Sequence, residues 1–184
     1  MSILDLGVES QCLPIAVGQA APDFALFGDD EREWRLFDSL DAVTVLLFYP
    51  QNETLVCTRQ LCSVRDNWEH YLETKANIVA ISPSTPAEHR EFSRRRQLPI
   101  RLLADPGRVV TQVYGKHWLF PINLTRAVVV IDTKGIVRNR DVMLRAFRPS
   151  DDHIITDIYA ARGDALNEEY SNLRTRIVRA MTQK

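Results

Sequence analysis

The chain has 184 residues and a mass of 21.1 kDa, the size of one ordinary domain. Hydrophobic residues make up 45% and charged residues 26%, enough apolar mass for a core and enough charge for solubility, which excludes a disordered chain. Twenty-three Lys and Arg against 24 Asp and Glu leave a net charge of −1, so nucleic acid is excluded as a main partner for want of a basic excess.

No apolar run approaches the roughly 18 residues of a membrane span. The start, Met1 to Gly18, carries Asp5 and Glu9 where a signal peptide is basic, so a cytoplasmic protein is expected. Phe24–Leu26 and Trp34–Leu36 flank the turn-rich Gly28-Asp29-Asp30 and predict a short hairpin. Val43 to Tyr49 is almost continuously apolar and β-favouring, the pattern of a central strand covered on both faces, and Pro50 ends it. From Cys57 to Leu72, the residues Leu61, Val64, Trp68, Tyr71 and Leu72 recur near the 3.6 period and predict one amphipathic helix.

A strand at Ile78–Ile81 follows. Thr85-Pro86-Ala87-Glu88 combines a capping box with proline at the first helical position, which starts a helix. Asp105-Pro106 repeats the device after a short strand at Arg101–Leu103. Ala127–Ile131 is a further buried strand, and Asp132-Thr133-Lys134-Gly135 turns it back into another beginning near Ile136. Ser150 caps a helix carrying Ile154, Ile155, Ile158 and Tyr159, with Asp151 and Asp152 near the positive end of its dipole. Leu166, Tyr170, Leu173, Ile177 and Met181 form the apolar stripe of an additional C-terminal helix.

This order predicts an α/β thioredoxin-like sandwich, a mixed central sheet with helices on both faces. The expected organisation is an N-terminal segment at 1–16, the domain at 17–163 and the amphipathic helix at 164–184. That helix packs on its own domain or serves self-association, so a monomer or homodimer is expected.

Cys12, Cys57 and Cys62 are too few for a disulfide framework, and a lone cysteine reads first as a small buried hydrophobe. The placement of Cys57 argues otherwise. It follows the carboxyl end of the central strand, where open α/β sheets bind ligands. With Thr54 as N-cap, Cys57 falls in a first helical turn whose free N–H groups and dipole favour thiolate, the nucleophilic form. The four histidines, His70, His89, His117 and His153, show no metal-ligand spacing, and no cofactor is expected. Arg94-Arg95-Arg96 reads as a solvated helix end. His117-Trp118-Leu119-Phe120-Pro121 reads as an apolar loop beside the site or a cover on the sheet.

Pro50-x-x-x-Thr54-x-x-Cys57 after a strand ending Phe-Tyr resembles the active-site signature of the peroxiredoxins, and the step to Cys62 resembles the Q-type, or bacterioferritin-comigratory-protein, subgroup. Val17-Gly18-Gln19-Ala20-Ala21-Pro22-Asp23-Phe24 is similar to the family's opening, and Arg126 stands where the family places a second active-site residue. The resemblance implies Cys57 as peroxidatic nucleophile, Cys62 as resolving residue, Arg126 as cationic neighbour, Thr54 as hydroxyl donor and acceptor, and Pro50 as a wall of the pocket. It further implies reduction of hydrogen peroxide and organic hydroperoxides, with thioredoxin or a similar dithiol protein as reductant.

On an intact helix, Cα atoms five residues apart stand roughly 8.7 Å from each other. A disulfide tolerates no more than about 7 Å, so a Cys57–Cys62 bond requires the helix start to unwind. Leu55-Val56 replaces the Pro-Gly frequent in the subgroup. Glu53 either opposes a negative Cys57 sulfur or pairs with an arginine such as Arg59. Two other functions share these residues: a thiol-disulfide oxidoreductase of the same fold, against which no Cys-x-x-Cys is present, and a redox-sensing interaction module.

Overall fold

A computed structural model describes residues 14–163. Cys12 and the expected C-terminal helix at 164–184 lie outside the described residues.

The centre is β3 (Thr44–Phe48), buried at all its positions. It pairs in parallel with β4 (Asn77–Ser82), which pairs in parallel with β5 (Arg101–Ala104). On the other side β3 pairs antiparallel with β6 (Thr125–Ile131), and β6 with β7 (Val137–Leu144), giving the order β5-β4-β3-β6-β7. A separate hairpin joins β1 (Ala25–Phe27) to β2 (Glu33–Arg35). The mixed sheet expected from the alternation of elements is therefore present, and the hairpin lies one residue from its predicted place on each arm.

Strand alternation divides the core. Val45, Leu47, Ala80, Val128 and Val130 face the helices α1 (Leu55–Asp66), α2 (Trp68–Glu73) and α5 (Asp151–Arg162), contributing to a cluster with Leu61, Val64, Tyr71, Ile154 and Ile158. Leu46, Phe48, Val79, Ile81 and Val129 face the other way, with Phe24, Trp34 and Leu36 of the hairpin region and with Val110, Val113 and Tyr114 of α4 (Val109–Tyr114). Each such aliphatic side chain contributes roughly 1.5–3 kcal/mol through burial. Ile15 also belongs to this second cluster, and its N–H donates to Val113 O at 2.9 Å.

The caps account for the helix starts. Thr85 Oγ1 accepts from Glu88 N while Glu88 Oε2 accepts from Thr85 N at 2.7 Å, so the capping box opens α3 (Pro86–Arg96) with Pro86 in the first turn. Ser150 Oγ accepts from His153 N to open α5. Asp132 Oδ1 accepts from Lys134 N and Ile136 N, both at 2.9 Å, and Gly135 at φ 74° closes the turn into β7.

Two elements differ from expectation. The single helix predicted through Leu72 is broken at Asn67, whose side-chain amide donates to Ser63 O at 2.9 Å and competes with the backbone ladder. Asp105 does not start a helix directly. Arg108, at φ 54°, is the N-cap of α4, and Asp105 reaches across the turn to accept from Thr111 N at 2.8 Å and Thr111 Oγ1 at 2.6 Å.

Candidate active site

Pro50 has no N–H, so the ladder of β3 stops and the chain turns through buried Pro50 and Asn52 into α1. Thr54 is extended at φ −76° and ψ 146°, and its Oγ1 accepts from Cys57 N at 3.4 Å. This N-cap leaves Cys57 in the first turn, in the field of the helix N-terminus.

The register of β6 supplies the cation. Ala127 pairs with Phe48, so Arg126 stands one step past the carboxyl end of β3, where α1 begins. Arg126 Nη2 donates to Cys57 Sγ at 3.2 Å and to Arg145 O at 3.4 Å, while Nη1 donates to Gln60 Oε1. Both Cys57 and Arg126 are 1% exposed. Among the described residues no carboxylate forms an ion pair with Arg126, so its charge is directed at the sulfur and a neutral amide. Arg126 Nε and Gln60 Nε2 are buried with no hydrogen-bond partner among the described residues, leaving two N–H donors beside the nucleophile.

Thr54, Cys57 and Arg126 are thus brought together as the sequence predicted, and Pro50 is buried in the intervening loop. Cys62 lies half-buried on the same continuous helix, and both thiols are free. The pair stands in the geometry that forbids a disulfide without rearrangement.

Gln60 did not emerge from the sequence, although its place three residues after Cys57 puts it on the same helix face. A buried polar group was also missed. Tyr49 Oη donates to Asn52 Oδ1 at 2.8 Å, His89 Nδ1 lies 3.3 Å from Tyr49 Oη, and Ser82 Oγ lies 3.3 Å from His89 Nε2. Burial pushes the Tyr49 hydroxyl up and the His89 imidazole down from their ordinary values, so both are neutral. The three arginines read as a solvated helix end are engaged. Arg94 and Arg95 pair with Glu91, and Arg95 and Arg96 with Glu53, so Glu53 does not need Arg59. In the 117–121 loop, His117 stacks on Phe120 at 4.6 Å while Trp118 stays 83% exposed.

A thiol at the first turn after the central strand of a mixed five-stranded sheet, held by a buried guanidinium, defines a thioredoxin-like fold bearing a cysteine site. Residues 17–140 match the model of the AhpC/TSA family, and the chain belongs to that family. Peroxiredoxin Bcp of Bacillus subtilis (strain 168) is 31% identical over 132 residues, covering 67% of this chain and 82% of that protein. Peroxiredoxin Q, chloroplastic, of Oryza sativa subsp. japonica is 35% identical over 132 residues, or 69% of this chain, and the match spans only 59% of the rice protein. The crystal structure of peroxidoxin BcpB from Mycobacterium tuberculosis shares the fold with a TM-score of 0.68 at 29% identity, covering 80% of this chain and 99% of that one.

Proposed function

We propose that the protein is a thiol-dependent peroxidase acting on hydrogen peroxide and organic hydroperoxides. The observation that carries this reading is the buried Arg126–Cys57 contact at 3.2 Å, accompanied by two N–H donors with no partner among the described residues. The Cys57 thiolate attacks one peroxide oxygen, the O–O bond breaks, and the departing oxygen leaves as water or an alcohol after taking a proton. Sulfur is oxidised to sulfenic acid as the peroxide is reduced. Arg126 and Gln60 offer donors to the oxygens as charge moves across them, and Thr54 both donates and accepts. Pro50 limits solvent at the intermediate.

Cys62 then attacks the Cys57 sulfur, water leaves, and an internal disulfide forms. Thioredoxin or a similar dithiol protein reduces it, taking on the disulfide itself. A sulfur 1% exposed is reached by a small peroxide more readily than by a protein disulfide, which favours this reading over a thiol-disulfide oxidoreductase. The low cysteine count supports a cytoplasmic setting, and the protein acts as a monomer or homodimer. Among the described residues no helix is long and apolar enough to cross a membrane.

Intact mass after one equivalent of peroxide tests the scheme. Wild type is expected to lose two hydrogens as an internal disulfide, Cys57→Ser to remain unoxidised, and Cys62→Ser to gain one or more oxygens. Rapid oxidation of Cys57→Ser at another thiol would overturn the assignment. Loss of the disulfide in Cys12→Ser, with Cys62 intact, would overturn the choice of resolving residue.

A further inference from the structure

The peroxidase reading requires the segment from Thr54 to Cys62 to be well formed when peroxide arrives and to unwind afterwards. Nothing in the reacting groups themselves sets the balance between those two conditions. The loop that feeds them, Pro50 to Thr54, is gripped from outside by α3.

One grip is buried. His89, fully buried on α3, sits between Ser82 of β4 and Tyr49 at the start of the loop. A tyrosine hydroxyl has one hydrogen, and at 2.8 Å it is given to Asn52 Oδ1. His89 Nδ1 lies 3.3 Å from Tyr49 Oη and 3.4 Å from Asn52 Nδ2, while Nε2 lies 3.3 Å from Ser82 Oγ. The result is a buried network, Ser82 to His89 to both Tyr49 and Asn52, that starts on the sheet and ends inside the loop.

The other grip is electrostatic. Glu53 takes φ 61°, the left-handed region that non-glycine residues avoid. In that conformation its carboxylate meets Arg95 and Arg96 at the end of α3, each at 3.4 Å. A single exposed pair of this kind is weak, but two cations on one carboxylate hold a backbone that would otherwise relax.

We infer that Asn52, His89 and the Glu53 pairs to Arg95 and Arg96 form a latch through which α3 holds the cysteine loop in its peroxide-reactive conformation. They are positioning residues, since none touches the sulfur. The latch opposes unwinding, so weakening it speeds the second chemical step while the first, set by the predominant folded form, changes little. A group that merely filled the core would slow both or neither.

The test uses Asn52→Ala and Glu53→Gln in the full chain. Stopped-flow measurement separates sulfenic acid formation from disulfide formation. For each variant the second constant is expected to rise, up to about tenfold for one net hydrogen bond in Asn52→Ala and by a few-fold in Glu53→Gln, while the first stays within about twofold because the folded form still predominates. The peroxide concentration that over-oxidises Cys57 should rise with the second constant. Both constants unchanged, or both reduced together, overturns the latch. If Asn52→Ala loses its cooperative fold, the exposed Glu53→Gln carries the same measurement. Hydrogen exchange on the reduced proteins gives a readout independent of peroxide chemistry. Residues 54–62 should lose protection in the variants, and unchanged protection overturns the inference. A wild type inert to peroxide would refute the peroxidase reading, while the exchange result would still decide the latch.

Discussion

Oxidation of the protein by one equivalent of peroxide should melt the first two-thirds of α1 and leave its junction with α2 in place. If residues 55–62 unwind to let Cys57 reach Cys62, the amides of about nine residues, 58 to 66, lose their helical partners, at a net cost of ~0.5–1.5 kcal/mol each. Exposing Leu61, now 1% exposed, adds roughly 2 kcal/mol. Against this, each of the freed residues regains about 1 kcal/mol or more of backbone entropy. The balance in the reduced protein is a few kcal/mol in favour of the helix, or roughly 10²–10³ in amide protection. Unwinding should stop near Ser63. There Asp151 accepts from Ser63 Oγ, from Asn67 Nδ2 at 3.2 Å and from Tyr71 Oη at 2.7 Å, while Arg65 Nη1 donates to Arg96 O at 2.8 Å. Hydrogen exchange read by mass spectrometry should therefore show protection lost at 58–66 on oxidation and kept from Asn67 onward. Equal protection in the two redox forms would refute local unwinding, and loss running on into α2 would refute the Asp151 anchor.

Arg126→Met should lower the second-order constant for peroxide by about 10²–10³, the loss typical of a transition-state donor, with Arg126→Lys recovering only part because it keeps the charge without the fork. Stopped-flow rates within threefold of wild type would sink the assignment. Burial holds the His89 imidazole below its ordinary value, against the opposing pull of Asp29 and Glu88. Its stabilising contribution is thus complete above the unfolded value of about 6.5 and is lost as pH falls through the lower folded one. Urea midpoints of His89→Gln should depend less on pH than wild type between pH 7.5 and 5, and parallel profiles would contradict this. Asp105→Ala strands the N–H groups of Val110 and Thr111 and the Thr111 hydroxyl in buried positions, so denaturant unfolding should show a loss of roughly 2–4 kcal/mol, with a change under 1 kcal/mol counting against the cap.

What was legible in the sequence was whatever local pattern determines. The apolar run around β3, the Thr85 capping box and the Thr54-to-Cys57 spacing each specify their structure within a few residues, and all three are present. The break at Asn67 was hidden because the 3.6-residue period continues across it, and the side chain that interrupts the ladder is held partly by Asp151, 84 residues away. Arg94-Arg95-Arg96 illustrates the same limit. As a run of cations at a helix end it has a sufficient local explanation in the dipole, and only the fold places Glu53 against it. The three-residue step from Cys57 gives Gln60 a helix face but no partner, and His89 carries no spacing signal of its own. Their roles arise from strand register, which put Arg126 over the first and Ser82 under the second.

The positions of the two thiols determine which must move. Cys57 belongs to the core cluster and Cys62 is half-buried near the anchored end of the helix, so resolution by Cys62, as proposed, would draw Cys57 outward. Its departure leaves the Arg126 guanidinium, 1% exposed, without a carboxylate among its described partners and with Gln60 on the segment that has unwound. A buried cation that keeps only the Arg145 carbonyl of its described partners is unfavourable. In the proposed cycle the disulfide would therefore hold the site open against that cost, and its reduction by a dithiol would let the same charge draw the sulfur back. On the proposed scheme Arg126 would then serve twice, assisting attack on peroxide and favouring the refolded helix for the next cycle.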